Sequence, residues 1–280
     1  MTSDEAATPG SDSTIGKAGS LPFDISVAHQ ARVYDYMLGG KDNYAADREA
    51  AEASIKVWPD MLWAARANRA FLGRAVRYLA ADAGIRQFLD IGTGIPTAGN
   101  THQVAQAIAP ESRVVYVDYD PVVLAHARAL LISNDAGATE YIDADVRDTG
   151  PILAQAADLL DFSKPVAVTL LAILHAIPDS DDPYAIVAEI MAVVPPGSYL
   201  AISHAASDLL DEERLAGIKD AWGGRMQQLI TWRSREQVAR FFEGTDLVEP
   251  GIVPAEAWRP DSDTSDGRQG AGWAGVGRKR

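Results

Sequence analysis

The chain has 280 residues, 47% of them hydrophobic and 23% charged, which leaves room for a sizeable core and excludes global disorder. A formal net charge of −14 excludes a protein whose main task is gripping phosphate backbone, so no nucleic-acid partner is expected, and the acidity otherwise serves solubility. With no cysteine there is no disulfide framework, thiolate metal site or cysteine nucleophile, and with no apolar run of membrane-spanning length the expectation is a cytoplasmic protein with no membrane partner.

Residues 1–22 are rich in Ser, Thr, Gly, Asp and Ala and read as a disordered tail. Val27 to Leu38 follows a helical pattern that stops at Gly39-Gly40, where glycine accepts a left-handed cap. Asp42 or Asn43 is placed to cap a second helix running to about Val57. Pro59 suits the first position of a third, in which Leu62, Ala65, Arg69, Leu72, Val76 and Leu79 recur at helical spacing up to Gly84.

From there the pattern alternates. Gln87–Ile91, Arg113–Val117, Thr139–Asp143, Val166–Leu171 and Tyr199–Ser203 read as strands, with helices at 101–109, 121–133, 151–160 and 183–194 between them. That order predicts an α/β doubly wound sheet, mostly parallel. A helical stretch near 208–221 precedes Ser234-Arg235-Glu236-Gln237, a capping box opening a helix that ends near Glu243. Two short strands, near Asp246–Glu249 and Gly272–Gly277, complete the sheet.

In such a sheet ligands sit at the carboxyl ends of the strands. After the first strand, Phe88-Leu89-Asp90-Ile91-Gly92-Thr93-Gly94 ends an apolar run in an acid and two close glycines, which let the backbone approach a ligand. A dinucleotide fingerprint wants a third glycine at the sixth loop position, and that position is Thr97, beside Pro96. A cofactor with an amino group and a sulfonium charge suits Asp90 better, which points to S-adenosylmethionine. After the second strand Asp118 is spaced to accept both ribose hydroxyls, with Asp120 better placed to cap the next helix. After the third, Asp145 and Val146 offer an acceptor and an apolar face to adenine. His175, after the fourth, is a candidate general base. His29, His102, His126 and His204 share no metal-ligand spacing, so no metal is expected.

These pieces resemble class I S-adenosylmethionine-dependent methyltransferases over roughly residues 85–280. The resemblance implies a Rossmann-like seven-stranded sheet whose last strand is antiparallel. It also implies that Asp90, Gly92, Thr93 and Gly94 meet the methionine part, Asp118 and Tyr119 the ribose, and Asp145 and Val146 the adenine. Ala31–Tyr44, with Gly39-Gly40-Lys41-Asp42-Asn43 at its centre, Asn100-Thr101-His102 and Leu174–Asp179 are similar to a bacterial S-adenosyl methyltransferase family once catalogued as a domain of unknown function. Pro96 departs from the wider superfamily's frequent third glycine.

The expected organisation is a tail over 1–22, an N-terminal helical lid over 23–84 and the cofactor-binding domain over 85–280. The cofactor's carboxylate wants a cation, for which Arg32, Lys41, Arg66 and Arg69 are candidates, and its sulfonium favours aromatic faces, for which Tyr34, Tyr36 and Tyr44 are candidates. The expected lid contacts are Tyr36, Gly40, Lys41 and Arg66, with His175 and Tyr44 as catalytic groups. The expected reaction is direct displacement onto a small-molecule methyl acceptor. An aminopropyl-type transferase on the same fold and a cofactor-binding protein without turnover are the alternatives. The sequence carries no signature of the acceptor or of oligomeric state.

Overall fold

Gln87–Ile91 forms β1 and is buried along its whole length, as a parallel strand covered on both faces requires. Arg113–Asp118 is β2, Ala138–Asp143 β3, Ala167–Leu171 β4, Tyr199–Ala205 β5, Thr245–Leu247 β6, Val253–Pro254 β7 and Gly272–Lys279 β8. β1 to β5 pair in parallel, and β8 runs antiparallel to β5, β6 and β7. The path β3-β2-β1-β4-β5-β8-β6 is the seven-stranded sheet that was expected, and the two-residue β7 beside β8 makes it eight-stranded. This is a Rossmann-like α/β fold. The computed structural model describes residues 24–130, 133–261, 268 and 270–280, so the tail expected over 1–22 lies outside the described residues.

Three helices, α1 (Gln30–Met37), α2 (Ala45–Val57) and α3 (Met61–Ala81), precede the sheet. α4 (Thr101–Ile108), α5 (Pro121–Leu130), α6 (Thr149–Ala156) and α7 (Pro183–Val193) occupy the crossovers, and α8 (Glu212–Trp222) and α9 (Arg235–Ala239) follow β5. The capping box at Ser234 and Gln237 is present. The second helix is not capped by Asp42 or Asn43: Tyr44 is its N-cap, and Asp47 reaches back to accept the Tyr44 N–H at 2.8 Å. Asn43 instead donates to the Asp35 carboxylate at 2.9 Å.

Strand alternation sends side chains to two cores. Leu89, Ile91, Val115, Val117, Val168, Leu170, Leu200 and Ile202 pack under α6 and α7. Phe88, Val114, Tyr116, Ala167, Tyr199 and Ala201 pack under α3 with Trp258. A third cluster, built from Val33, Met37, Ala50, Trp58, Met61, Ile218, Trp222 and Met226, joins the N-terminal helices to α8. At ~1.5–3 kcal/mol for each fully buried large aliphatic side chain, that third cluster seats α1 to α3 against the carboxyl ends of the strands. Among the described residues no helix is long and apolar enough to cross a membrane.

Candidate active site

The turn after β1 is held open by backbone conformation. Gly92 and Gly94 have φ of 76° and 68°, in the left-handed region. A Cβ on Gly92 would lie 2.6 Å from Ile173, whereas one on Gly94 would meet nothing within 4 Å, because Gly94 faces open space. Asp118, at the end of β2, fastens this turn: one carboxylate oxygen accepts the Gly94 N–H at 2.8 Å and the other accepts from Tyr119 and Asp120. Asp90 accepts the hydroxyls of Thr101 and Thr169, both at 2.7 Å, and so ties β1 to β4 and to the start of α4. Burial raises the pKa of both acids, and the hydrogen bonds they accept oppose that rise. Thr93 donates to the Asp90 carbonyl at 3.2 Å.

Two connected hollows open here. A small one, lined by Gly92, Asp118, Tyr119, Ala144, Asp145, Val146, Ile173 and Gln228, lies across the ends of β1, β2 and β3. It brings together five of the residues expected to bind the cofactor: Gly92, Asp118, Tyr119, Asp145 and Val146. The larger, of about 230 Å³, shares Gly92, Asp118, Tyr119, Ile173 and Gln228 with it and runs on beneath α1 and α3. Ala172, at its floor after β4, is a non-glycine residue at φ 56°. It is held there by hydrogen bonds to Ser203 and from the Gln30 amide, the kind of strain that collects at functional sites.

The roof differs from expectation. Tyr36, Gly40, Lys41 and Arg66 do not line either hollow. Tyr36 points to Glu52 and donates to its carboxylate. Gly40 serves the local turn, since a Cβ there would collide with the Asp35 carboxylate. Lys41 and Arg66 are exposed. Of the tyrosine and cation candidates in these helices, Tyr34 and Arg69 line the cavity. Arg69 donates to Asn100 at 2.9 Å and to the Ala98 carbonyl, while its buried Nε has no partner. Met61, Ala64, Ala65, Asn68, Arg69 and Leu72 form one stripe of α3, spaced by three and four residues, and all face the cavity. Arg66 lies off that stripe. The two polar residues inside an otherwise apolar stripe were the available signal for Arg69.

Tyr44 does not reach the cavity either: it packs with Ile95 and Val122, under the Arg32 guanidinium at 5.5 Å. His175 does line it, but burial and the Arg233 charge lower its pKa to about 3. It is therefore a neutral imidazole at pH 7, in contact with the Gln30 amide and a poor proton acceptor. His204 beside it is pushed well down by burial, its Nε2 accepting from Arg233 at 2.7 Å and its Nδ1 donating to Ala205. Arg233 is itself clamped by Asp179 and by the carbonyls of Leu174 and Ile177.

Sequence reasoning missed two further features. His29 caps α1 and bonds Asp120 through Nδ1 at 2.7 Å, tying the roof to the end of β2. Asp120 also caps α5 through the Val122 N–H, as its position suggested. The same cavity has an apolar part lined by Met37, Trp58, Met61, Trp222, Met226, Ile230 and Trp232, with Glu256 also in the lining. Among the described residues no group of three His, Asp or Glu is placed to hold a metal ion.

A family model described as S-adenosyl methyltransferase matches residues 17–280. The chain belongs to that family. Its cofactor is accordingly S-adenosylmethionine. A DUF574-family protein from Streptomyces avermitilis is similar at 45% identity and a TM-score of 0.88, over 92% of this chain and 99% of that one. A protein from Thermobifida fusca matches at 40% identity and a TM-score of 0.83, over 92% and 97%. An O-methyltransferase family protein from Burkholderia thailandensis, at 14% identity and a TM-score of 0.51 over 88% of this chain and 63% of its own, shares the fold. No curated protein matches the sequence. The residues fit the family's cofactor: Gly94 leaves room where a side chain would intrude, and Arg69 Nε is a buried donor that lacks an acceptor.

Proposed function

We propose that this methyltransferase-family chain moves a methyl group by direct displacement onto a small molecule seated in the chamber beneath α1 and α3. The observation that carries this reading is that the two hollows share Gly92, Asp118, Tyr119, Ile173 and Gln228: the smaller adds Asp145 and Val146, and the larger adds Arg69 and a set of apolar side chains. When bound, S-adenosylmethionine supplies an electrophilic methyl group carried on a sulfonium.

Asp118 keeps lone pairs for the ribose hydroxyls while its other contacts fix the glycine turn. Asp145 and the Val146 face form the adenine seat. Arg69 Nε meets the cofactor's carboxylate, a charge-assisted hydrogen bond. Asp90 acts through the threonines it holds, so it positions the turn. Helices α1 to α3 serve as a cover that keeps water from the reacting groups. Positioning two bound reactants can supply ~7–11 kcal/mol of a barrier. Neutral His175 orients an acceptor by hydrogen bonding, and it does not remove a proton at pH 7.

Incubating the purified protein with methyl-labelled S-adenosylmethionine and a fractionated metabolite extract tests the reading. Label is expected in a small-molecule fraction, with S-adenosylhomocysteine released in equal amount. Cofactor binding without release of S-adenosylhomocysteine in any fraction would favour a binding protein that does not turn over.

A further inference from the structure

The apolar chamber contains a polar group that the fold leaves unsatisfied. Glu256, in the turn of Ala255–Ala257, accepts the Gly270 N–H through Oε1 at 2.8 Å, while its Oε2 is buried and, among the described residues, without a partner, as are the indole N–H groups of Trp222 and Trp232. A buried carboxylate oxygen without a donor has lost its hydration and gained nothing in return, so a ligand that brings a donor relieves that cost. Arg74, packed near the same turn, donates through Nε and Nη2 to the carbonyls of Trp258 and Ala255, and its charge acts on Glu256 without donating to it.

The charge balance of the cavity points the same way. Its lining holds the carboxylates of Asp90, Asp118 and Glu256 against the single guanidinium of Arg69. Asp90 and Asp118 act only as acceptors from hydroxyls and N–H groups, the role of ionised acids. In the adjoining hollow Asp145 and Arg147 lie 3.7 Å apart and offset each other. His175 and His204 are neutral, and His29, also in the lining, bonds Asp120 at 2.7 Å. S-adenosylmethionine, with an ammonium, a sulfonium and a carboxylate, cancels only part of the negative excess. Glu256 shares the cavity lining with Trp222 and Trp232, which stack with ring centroids 6.2 Å apart, and with Trp58 as a third indole. Aromatic faces beside a carboxylate are the environment that holds an organic cation.

We propose that the molecule occupying this chamber is an amine carried on an apolar, aromatic-sized body, with its ammonium on Glu256 Oε2 and its body against Trp222, Trp232, Met61 and Met226. This rests on the cofactor reading above, because the charge balance assumes the cofactor in place. It assigns Glu256 a role in selecting the occupant by charge.

Calorimetric titration of the full chain saturated with S-adenosylhomocysteine tests the proposal, with three probes sharing one ring: 2-(2-naphthyl)ethylamine, 2-(2-naphthyl)ethanol and 3-(2-naphthyl)propionic acid. The amine is expected to bind about tenfold or more tightly than the acid, with the alcohol between them. Glu256→Gln keeps the Oε1 acceptor for Gly270, so the fold is retained, and it is expected to remove the preference for the amine while S-adenosylhomocysteine affinity is unchanged. Trp232→Leu, which keeps Glu256, is expected to weaken all three probes while preserving their order. Amine and acid binding alike, or a preference that survives Glu256→Gln, overturns the proposal with the cofactor reading intact. Failure of the chain to bind S-adenosylhomocysteine overturns the cofactor reading, and this proposal with it.

Discussion

Arg69 and Arg66 are three residues apart on one helix, yet only Arg69 turns its guanidinium into the cavity, where Nε lacks a partner. Arg69→Ala is therefore expected to weaken S-adenosylhomocysteine binding about 10- to 100-fold, the worth of a charged hydrogen bond. Arg66→Ala, on the exposed face, is expected to leave it unchanged in the same calorimetric titration. His175 makes a prediction about acid stability. Its pKa is near 3 in the folded protein against 6.5 when free, so between these values the unfolded chain binds the proton and the folded chain does not. Stability that is fully present above pH 6.5 must then fall as the pH drops toward 3, by ~1.4 kcal/mol for each unit. Buried Asp90 and Asp118 are shifted upward and act in the opposite sense, so the comparison has to be made against a variant. In urea unfolding at several pH values, His175→Asn is expected to be less stable at pH 7 but to lose about 3 kcal/mol less than the parent between pH 6.5 and 4.

At the scale of elements, the strands were legible because a buried parallel strand is a short apolar run with nothing to imitate it nearby. The ends of β1, β2 and β4 were read to within a residue, and only the two-residue β7 left no signal. Helix ends were read less well where a distant partner chose the cap. Asp47 serves both Tyr44 and the His29 backbone N–H, at 2.8 and 2.9 Å, and no local pattern around Asn43 announces that double duty. The candidate site divides in the same way. Asp118, Asp145 and the glycines follow from the rule that ligands sit at strand ends, but which face of α1 and α3 turns inward depends on the cluster they build with α2 and α8, so Tyr36 and Arg66 were expected where Tyr34 and Arg69 stand. The joint that sets this packing is the His29 pair with Asp120, buried at 2.7 Å. His29→Ala leaves that carboxylate short of a donor, a loss of ~1–3 kcal/mol that falls on α1 more than on the sheet. Hydrogen exchange is expected to quicken for amides of residues 30–57 while those of β1, β2 and β4 keep their protection, and uniform quickening would show that the helices and sheet open as one unit.

At the scale of the whole molecule, the cavity is assembled from segments far apart in the chain. His29 to Met37, Met61 to Leu72, the turn at Asp90–Gly94, the strand-end residues Asp118 and His175, the Trp222–Trp232 region and the turn at Ala255 all line it. None of these segments forms a wall alone, so a ligand that touches several of them stabilises their assembly and not one element. A ligand binding the folded state only, at a hundredfold excess over its Kd, adds about 2.7 kcal/mol. In a chain of this size that corresponds to a rise in Tm of roughly 5–10 °C. S-adenosylhomocysteine is expected to give that rise and NAD none, since the helix after the glycine turn begins only at Thr101, beyond a loop that places no helix N-terminus against a pyrophosphate. The same titration followed by hydrogen exchange separates a cover from a spectator. If α1 to α3 close the site, their amides gain protection together with the ends of β1 and β2. If only the strand ends gain protection, the N-terminal helices do not close over the cofactor, and the chamber beneath them is not part of the reaction space.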